Sequence, residues 1–197
     1  MVKAHDFPEV YKALDLNLSK LGCIMLDTEP IKIDHWMSPM NGGATSYLQD
    51  LPLYKSPNPE HFWIDGYVAD KTPHLTLLYG LLKSGTEYKE HVDRVLSGWN
   101  LSEVVIDHFG TFDSPYPDEP YHCVVAHIKV TPELMEGHER LGFLPHLNTF
   151  AGYKPHITIA YIDSSEGWKG TFINDLNHEY GGKTLKVTGI NYGGSKV

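Results

Sequence analysis

The stretch Thr72-Pro73-His74-Leu75-Thr76-Leu77-Leu78-Tyr79-Gly80 returns in altered form as Lys154-Pro155-His156-Ile157-Thr158-Ile159-Ala160-Tyr161-Ile162. Aligned on the histidines, the proline, histidine, threonine and tyrosine coincide, and the positions between them are apolar in both copies. The copies are 156 − 74 = 82 residues apart in a chain of 197 residues. In a strand, residues i and i+2 share a face. His74 and Thr76 therefore project together, as do His156 and Thr158. Leu75, Leu77, Ile157 and Ile159 point the opposite way. A polar pair on one face and an apolar pair on the other describe a strand that lines a cleft. Pro73 and Pro155 donate no ladder hydrogen bond, which puts each copy near a strand start or a sheet edge.

Outward from the repeats, residues 7–21 read as an amphipathic helix, with Asp6 and Glu9 at its start and Gly22 at its end. Residues 23–33 form the next expected strand. Residues 34–63 are rich in Pro, Gly, Ser and Asn, yet carry Trp36, Tyr47, Tyr54, Phe62 and Trp63. A loop of that length is usually functional or flexible. Its aromatics either stack on a base or pin the loop to the core. A helix is expected over 87–100, ending near Gly98, strands over 103–112 and 121–130, and residues 131–150 start as a helix, with Thr131 as cap and Pro132 behind it. Leu134 stands where a full capping box has Glu or Gln. A helix over 164–176 and a strand over 183–192 close the chain. Each half thus holds one repeat strand with a helix after it. The pattern predicts an α+β fold of two similar lobes with the repeats facing one another. On a regular strand Tyr79 and Tyr161 fall on the face opposite the histidines and are expected to pack in the core.

The bulk numbers restrict function. The net charge of −9 argues against a protein that grips long DNA or RNA, since such binding draws its strength from Lys and Arg on phosphates. A small nucleotide needs only a locally positive pocket. Lys71 and Lys154, just before the two motifs, are candidates to steer phosphate, or are solvated strand ends. No run approaches the ~18 apolar residues that span a bilayer, and the first residues lack the apolar core of a secretory signal. The expectation is a cytoplasmic protein that engages neither long nucleic acid nor membrane. Cys23 and Cys123 lack zinc-ligand spacing and read as buried free thiols. Asp107-His108 and His138-Glu139 resemble site fragments, but His138-Glu139-Arg140-Leu141-Gly142 lacks the second histidine of a zinc helix. There is no P-loop, Rossmann or nucleophile-elbow pattern.

Two imidazoles flanking one cavity, each with a hydroxyl beside it, suit in-line displacement at phosphorus. One histidine, neutral, takes a proton from the attacking oxygen; the other, protonated, gives one to the leaving oxygen. The threonine hydroxyls can hold the non-bridging oxygens. Proton transfer at both ends carries the charge, so the chemistry calls for no metal and no cofactor.

These paired His-x-Thr motifs, set at half-chain spacing, each with proline before it and two apolar residues and tyrosine after it, resemble those of the 2H phosphoesterase superfamily. The resemblance covers the element order of roughly residues 20–192 and is concentrated in the motifs. It implies one bilobal, pseudo-symmetric domain over 1–197, with two antiparallel-sheet lobes lining a central cleft. It also implies a metal-independent phosphodiesterase, with His74 and His156 as the catalytic pair and Thr76 and Thr158 as phosphate contacts. Sequence does not settle which histidine is acid and which base. Two substrate classes suit such a site: a 2′,3′-cyclic phosphate opened by water, and a cyclic di- or trinucleotide cleaved through a neighbouring 2′-hydroxyl. Phage members of the superfamily that destroy cyclic oligonucleotide immune signals offer an analogy. A nucleotide-binding sponge without turnover and an RNA-end processing or ligase-like enzyme are the alternatives. The long 34–63 segment departs from a minimal member and leaves base and linkage preference open.

Overall fold

The computed structural model describes residues 21–33, 35–37, 45–47, 51–71, 73–147, 152–164 and 169–193. In chain order the elements are β1 (Gly22–Thr28), β2 (His35–Met37), β3 (Thr45–Tyr47), a 3-10 turn (Pro59–His61) and β4 (His74–Leu81). They continue with α1 (Lys89–Val95), β5 (Glu103–Asp113), β6 (Tyr121–Ile128), α2 (Pro132–Leu141), β7 (His156–Asp163), α3 (Lys169–Tyr180) and β8 (Thr184–Gly193). The helix expected over 7–21 lies outside the described residues except for its last residue. The segment from Thr131 starts as a helix, as expected. The Thr131 hydroxyl accepts from the Leu134 amide as the cap requires, but the helix ends at Leu141 in a run of turns. The last helix starts and ends later than the 164–176 pattern suggested.

Six strands close a ring in the order β1-β4-β7-β6-β5-β8, all pairs antiparallel. It consists of two three-stranded sheets, β8-β1-β4 and β7-β6-β5, joined at two seams. At one seam β4 and β7 meet through a single pair, Leu75 opposite Ile157. At the other, Val104 of β5 faces Leu185 of β8, flanked by Glu103 with Lys186 and Val105 with Thr184. The first pair is 157 − 75 = 82 residues apart and the second 185 − 104 = 81. Each seam therefore joins residues related by the repeat, so one approximate twofold axis runs through both. This is the α+β, two-lobed arrangement expected from the repeat, with one difference. The spatial lobes are not the sequence halves. β5, from the first half, completes the sheet of the second motif, and β8 completes the sheet of the first.

Behind the sheets lies an apolar core that includes Ile24, Leu26, Leu75, Leu77, Val124, Ala126, Ile157 and Ile159. Each fully buried Leu or Ile contributes about 1.5–3 kcal/mol against leaving it in water. α2 packs there through Leu134, Gly137 and Leu141. Gly137 is required by close approach: a Cβ on it would meet the Trp99 ring at 2.5 Å.

Candidate active site

The burial pattern of β4 begins intermediate-buried-intermediate-buried-buried, and β7 repeats it. His74 and Thr76, and His156 and Thr158, are half-buried on one face, while their apolar neighbours are fully buried on the other. At the seam Leu75 faces Ile157, so the half-buried faces of the two motifs lie on neighbouring strands.

The alternation then breaks at the same place in both strands. β1 pairs Ile24 with Leu78 but Met25 with Thr76, so Leu77 is an extra residue on β4. β6 pairs Val124 with Ala160 but Val125 with Thr158, so Ile159 is an extra residue on β7. A bulge of this kind reverses the facing of every later residue in the strand. It brings Tyr79 and Tyr161 to the histidine face, opposite Cys23 and Cys123 respectively. The core role expected for both tyrosines is therefore wrong. Tyr79 is 39 % exposed, and Tyr161 is half-buried with its hydroxyl bonded to the Thr158 side chain. Both cysteines are free and half-buried, and burial pushes each thiol up to about 11. They are neutral, unreactive groups at neutral pH.

Other groups hold the bulges from behind. The Leu77 carbonyl accepts from His138 Nδ1 at 2.7 Å. The His138 ring stacks on Tyr153 at 4.0 Å, and the Tyr153 hydroxyl donates to the Thr76 carbonyl at 3.1 Å. On β7 the Ile159 carbonyl instead accepts the backbone amides of Val68 and Ala69. Sequence reasoning missed His138 and Tyr153 as supports of the motif, because neither shares a periodic pattern with it.

The two histidines stand in different surroundings. His156 Nδ1 donates to the Lys154 carbonyl at 2.9 Å, which leaves Nε2 as the ring's acceptor. Burial holds the His156 imidazole below the usual range, and the charge of His74 acts in the same direction against the partial offset of the Lys154 carbonyl. Opposite His156 in the register is His127, and opposite His127 is His108. Opposite His74 stands Asp27, whose carboxylate accepts from the Asn191 side chain at 3.2 Å.

The other expected binding residues divide. Residues 51–69 run along β7, with the Tyr54 amide donating to the Tyr161 carbonyl and the Tyr161 amide to the Gly66 carbonyl. Tyr54 stacks near Tyr121 (5.5 Å), which meets Tyr161 edge-on (5.3 Å). Tyr54 is thus tied to the motif through an aromatic chain. Phe62 and Trp63 are exposed, at 79 % and 47 %, and touch each other edge-on. They sit beside His61, which stacks on Tyr116 and bonds Glu119 Oε1 at 2.8 Å. Lys71 pairs with Asp65 at 3.2 Å. Lys154 is exposed. Trp36 and Tyr47 belong to the β2–β3 ribbon, where Trp36 pairs with Ser46 and His35 with Tyr47; their side chains lie outside the described residues. A cavity of about 260 Å³ lined by Leu101, Glu103, Lys129 and Thr131, among others, holds none of the four motif residues. Among the described residues no helix is long and apolar enough to cross a membrane, and no group of three His, Cys, Asp or Glu is placed to hold a metal ion.

A model of the 2′-5′ RNA ligase superfamily matches residues 54–168, more than half of the chain and both motifs. The chain belongs to that superfamily, whose two-histidine phosphoesterases its motifs resemble. No curated protein matches it. Among solved structures it is similar to Usb1 of Kluyveromyces marxianus, with 10% identity and a TM-score of 0.47 over 90% of this chain and 96% of that one.

Proposed function

We propose that this protein is a metal-independent phosphodiesterase for a small nucleotide, working through His74 and His156 with Thr76 and Thr158. The observation that carries the reading is the seam: two His-x-Thr strands related by a twofold, with each imidazole on the same open face. The surroundings assign the roles. His156 is the base, because its Nδ1–H is committed to the Lys154 carbonyl, its Nε2 lone pair is available, and burial favours the neutral ring. It takes the proton of a water or a 2′-hydroxyl as that oxygen bonds to phosphorus. His74, with the Asp27 carboxylate across the strand, is the acid. It gives its proton to the leaving oxygen as the P–O bond breaks. The Thr76 and Thr158 hydroxyls donate to the non-bridging oxygens, where charge concentrates in the transition state.

The substrate classes are a 2′,3′-cyclic phosphate and a cyclic di- or trinucleotide. The second would make the protein a phage enzyme that degrades host immune signals. The half-buried aromatics Tyr54 and Tyr161, which pack on the buried Tyr121, suit stacking on a base.

The test is product analysis of 2′,3′-cyclic mononucleotides, cyclic di- and trinucleotides of both linkages and a short linear RNA, incubated in EDTA with wild type, His74→Ala and His156→Ala. Cleavage that survives EDTA and vanishes in both variants is expected. Cleavage abolished by EDTA would overturn the mechanism. Tight binding of one compound with no turnover would make the protein a nucleotide sponge, and net joining of RNA ends would make it a ligase.

A further inference from the structure

The register places three histidines side by side on adjacent strands: His156 on β7, His127 on β6 and His108 on β5. His127 and His108 have no counterpart in the other lobe, where Asp27 and Gly189 occupy the equivalent places beside His74. The His108 and His127 rings are stacked, with centroids 4.4 Å apart and planes 21° from parallel. Stacked rings present their N–H edges side by side, which suits oxygens of one anion and does not suit convergence on one metal ion. His108 Nδ1 bonds Asp107 Oδ2 at 2.8 Å, which leaves its Nε2 as the outward nitrogen.

β5 makes room for this arrangement. β5 carries His108, Gly110 and Phe112 at alternate positions opposite His127, Val125 and Cys123. A Cβ on Gly110 would lie 3.1 Å from His127 Nε2, and no positive φ demands glycine there. The absence of a side chain leaves room for the His127 ring itself, whose Nε2 and Cδ2 lie over Gly110. Phe112 touches His127 edge-on at 5.5 Å and His156 edge-on at 5.1 Å. One aromatic ring thus joins the histidine pair to the base of the proposed reaction.

We infer that the edges of the stacked His108 and His127 rings form a second anion subsite that takes the phosphate next to the scissile one. The inference rests on the phosphodiesterase reading and sharpens it: the preferred substrate carries at least two phosphates and is a linear or cyclic oligonucleotide rather than a cyclic mononucleotide. Adjacent strands lie about 4.8 Å apart, so His127 and His108 sit one and two strands from His156. That range brackets the spacing of successive phosphates along a nucleotide chain. The groups facing His127 are His108 and Asp107 on β5, and His156 and Lys154 at the start of β7. Burial, then His108, His156 and Lys154, hold the His127 ring below the usual imidazole range, with Asp107 acting the other way. An anion at these ring edges offsets that repulsion. Binding of the second phosphate therefore strengthens as pH falls from 8 to 6.

The experiment uses product analogues, so it does not depend on turnover. Adenosine 3′-phosphate, adenosine 3′,5′-bisphosphate and the dinucleotide pApAp are titrated into wild type, His127→Gln, His108→Gln and Gly110→Ala by calorimetry at pH 6 and pH 8. In wild type at pH 6 the affinity is expected to climb by about tenfold over the series, a gain typical of hydrogen bonds to a charged group. The climb flattens at pH 8 and in all three variants. Imidazole NMR of wild type gives a readout that needs no variant: the bisphosphate should raise the His127 titration midpoint. Equal affinities across the series in wild type, or an unmoved His127, would overturn the subsite. Binding of none of the three would count against the nucleotide-cleft reading itself.

Discussion

The two motif strands are the same device in different company. β4 and β7 share the Pro-His-x-Thr start, the bulge three residues after the histidine and a tyrosine swung onto the histidine face opposite a cysteine. Their neighbours differ. Asp27 stands across from His74, and His127 across from His156. The repeated backbone fixes where two imidazoles meet. The unrepeated residues beside them give each ring a different cross-strand neighbour. In the proposed mechanism that difference lets a symmetric scaffold run an asymmetric reaction, because only the cross-strand partners need to diverge.

The largest expected effect breaks the symmetric half of this comparison. His74→Ala and His156→Ala should each lower kcat by about 10²–10⁴-fold, the range for a lost general acid or base. The double variant should fall little further, because the two act as a unit. Steady-state kinetics on the best substrate of the panel checks this. Two unequal losses, one of them under tenfold, would show that only one lobe is catalytic. Thr76→Val and Thr158→Val come next, with about 10²–10³-fold in kcat if each hydroxyl serves the developing charge. A change confined to KM would reduce them to ground-state contacts.

Much of the backbone was legible because its signals are local. A histidine and threonine two apart, framed by apolar residues, specify one face of a strand. Thr131 with Pro132 directly after it specifies a helix start, and it held although Leu134 completes no capping box. What was not legible depends on partners far along the chain. The facing of Tyr79 and Tyr161 depends on bulges at Leu77 and Ile159, and nothing in Leu-Thr-Leu-Leu-Tyr distinguishes a bulged strand from a regular one. The exchange of β5 and β8 between lobes is likewise invisible to periodicity, which reports faces and not neighbours. His127 and His108 were two of twelve histidines, and only the register sets them beside His156.

The asymmetric half of the comparison is tested by pH. Burial holds His156 below the usual value near 6.5, so kcat/KM should rise with pH through a midpoint under ~6.5 as that base loses its proton. In His156→Asn that acid limb should vanish from the residual activity, whereas His74→Asn should leave it in place. The opposite outcome would reverse the assignment of base and acid.

The smallest effect separates the bulges. On β7 the bulged carbonyl of Ile159 is held by backbone amides, which side-chain substitution does not remove. On β4 the hold comes from side chains: His138 on the Leu77 carbonyl and Tyr153 on the Thr76 carbonyl. Tyr153→Phe keeps the ring that stacks on His138 and deletes one hydroxyl. It should cost about 1 kcal/mol of stability, the net worth of one hydrogen bond, and lower kcat a few-fold by loosening Thr76. The distinguishing readout is amide hydrogen exchange. Exchange should quicken over residues 76–78 and stay unchanged over 158–160, because the two bulges share a shape but not a support. Equal quickening in both would mean that the seam at Leu75 and Ile157 transmits the change, and that the two motifs move as one element.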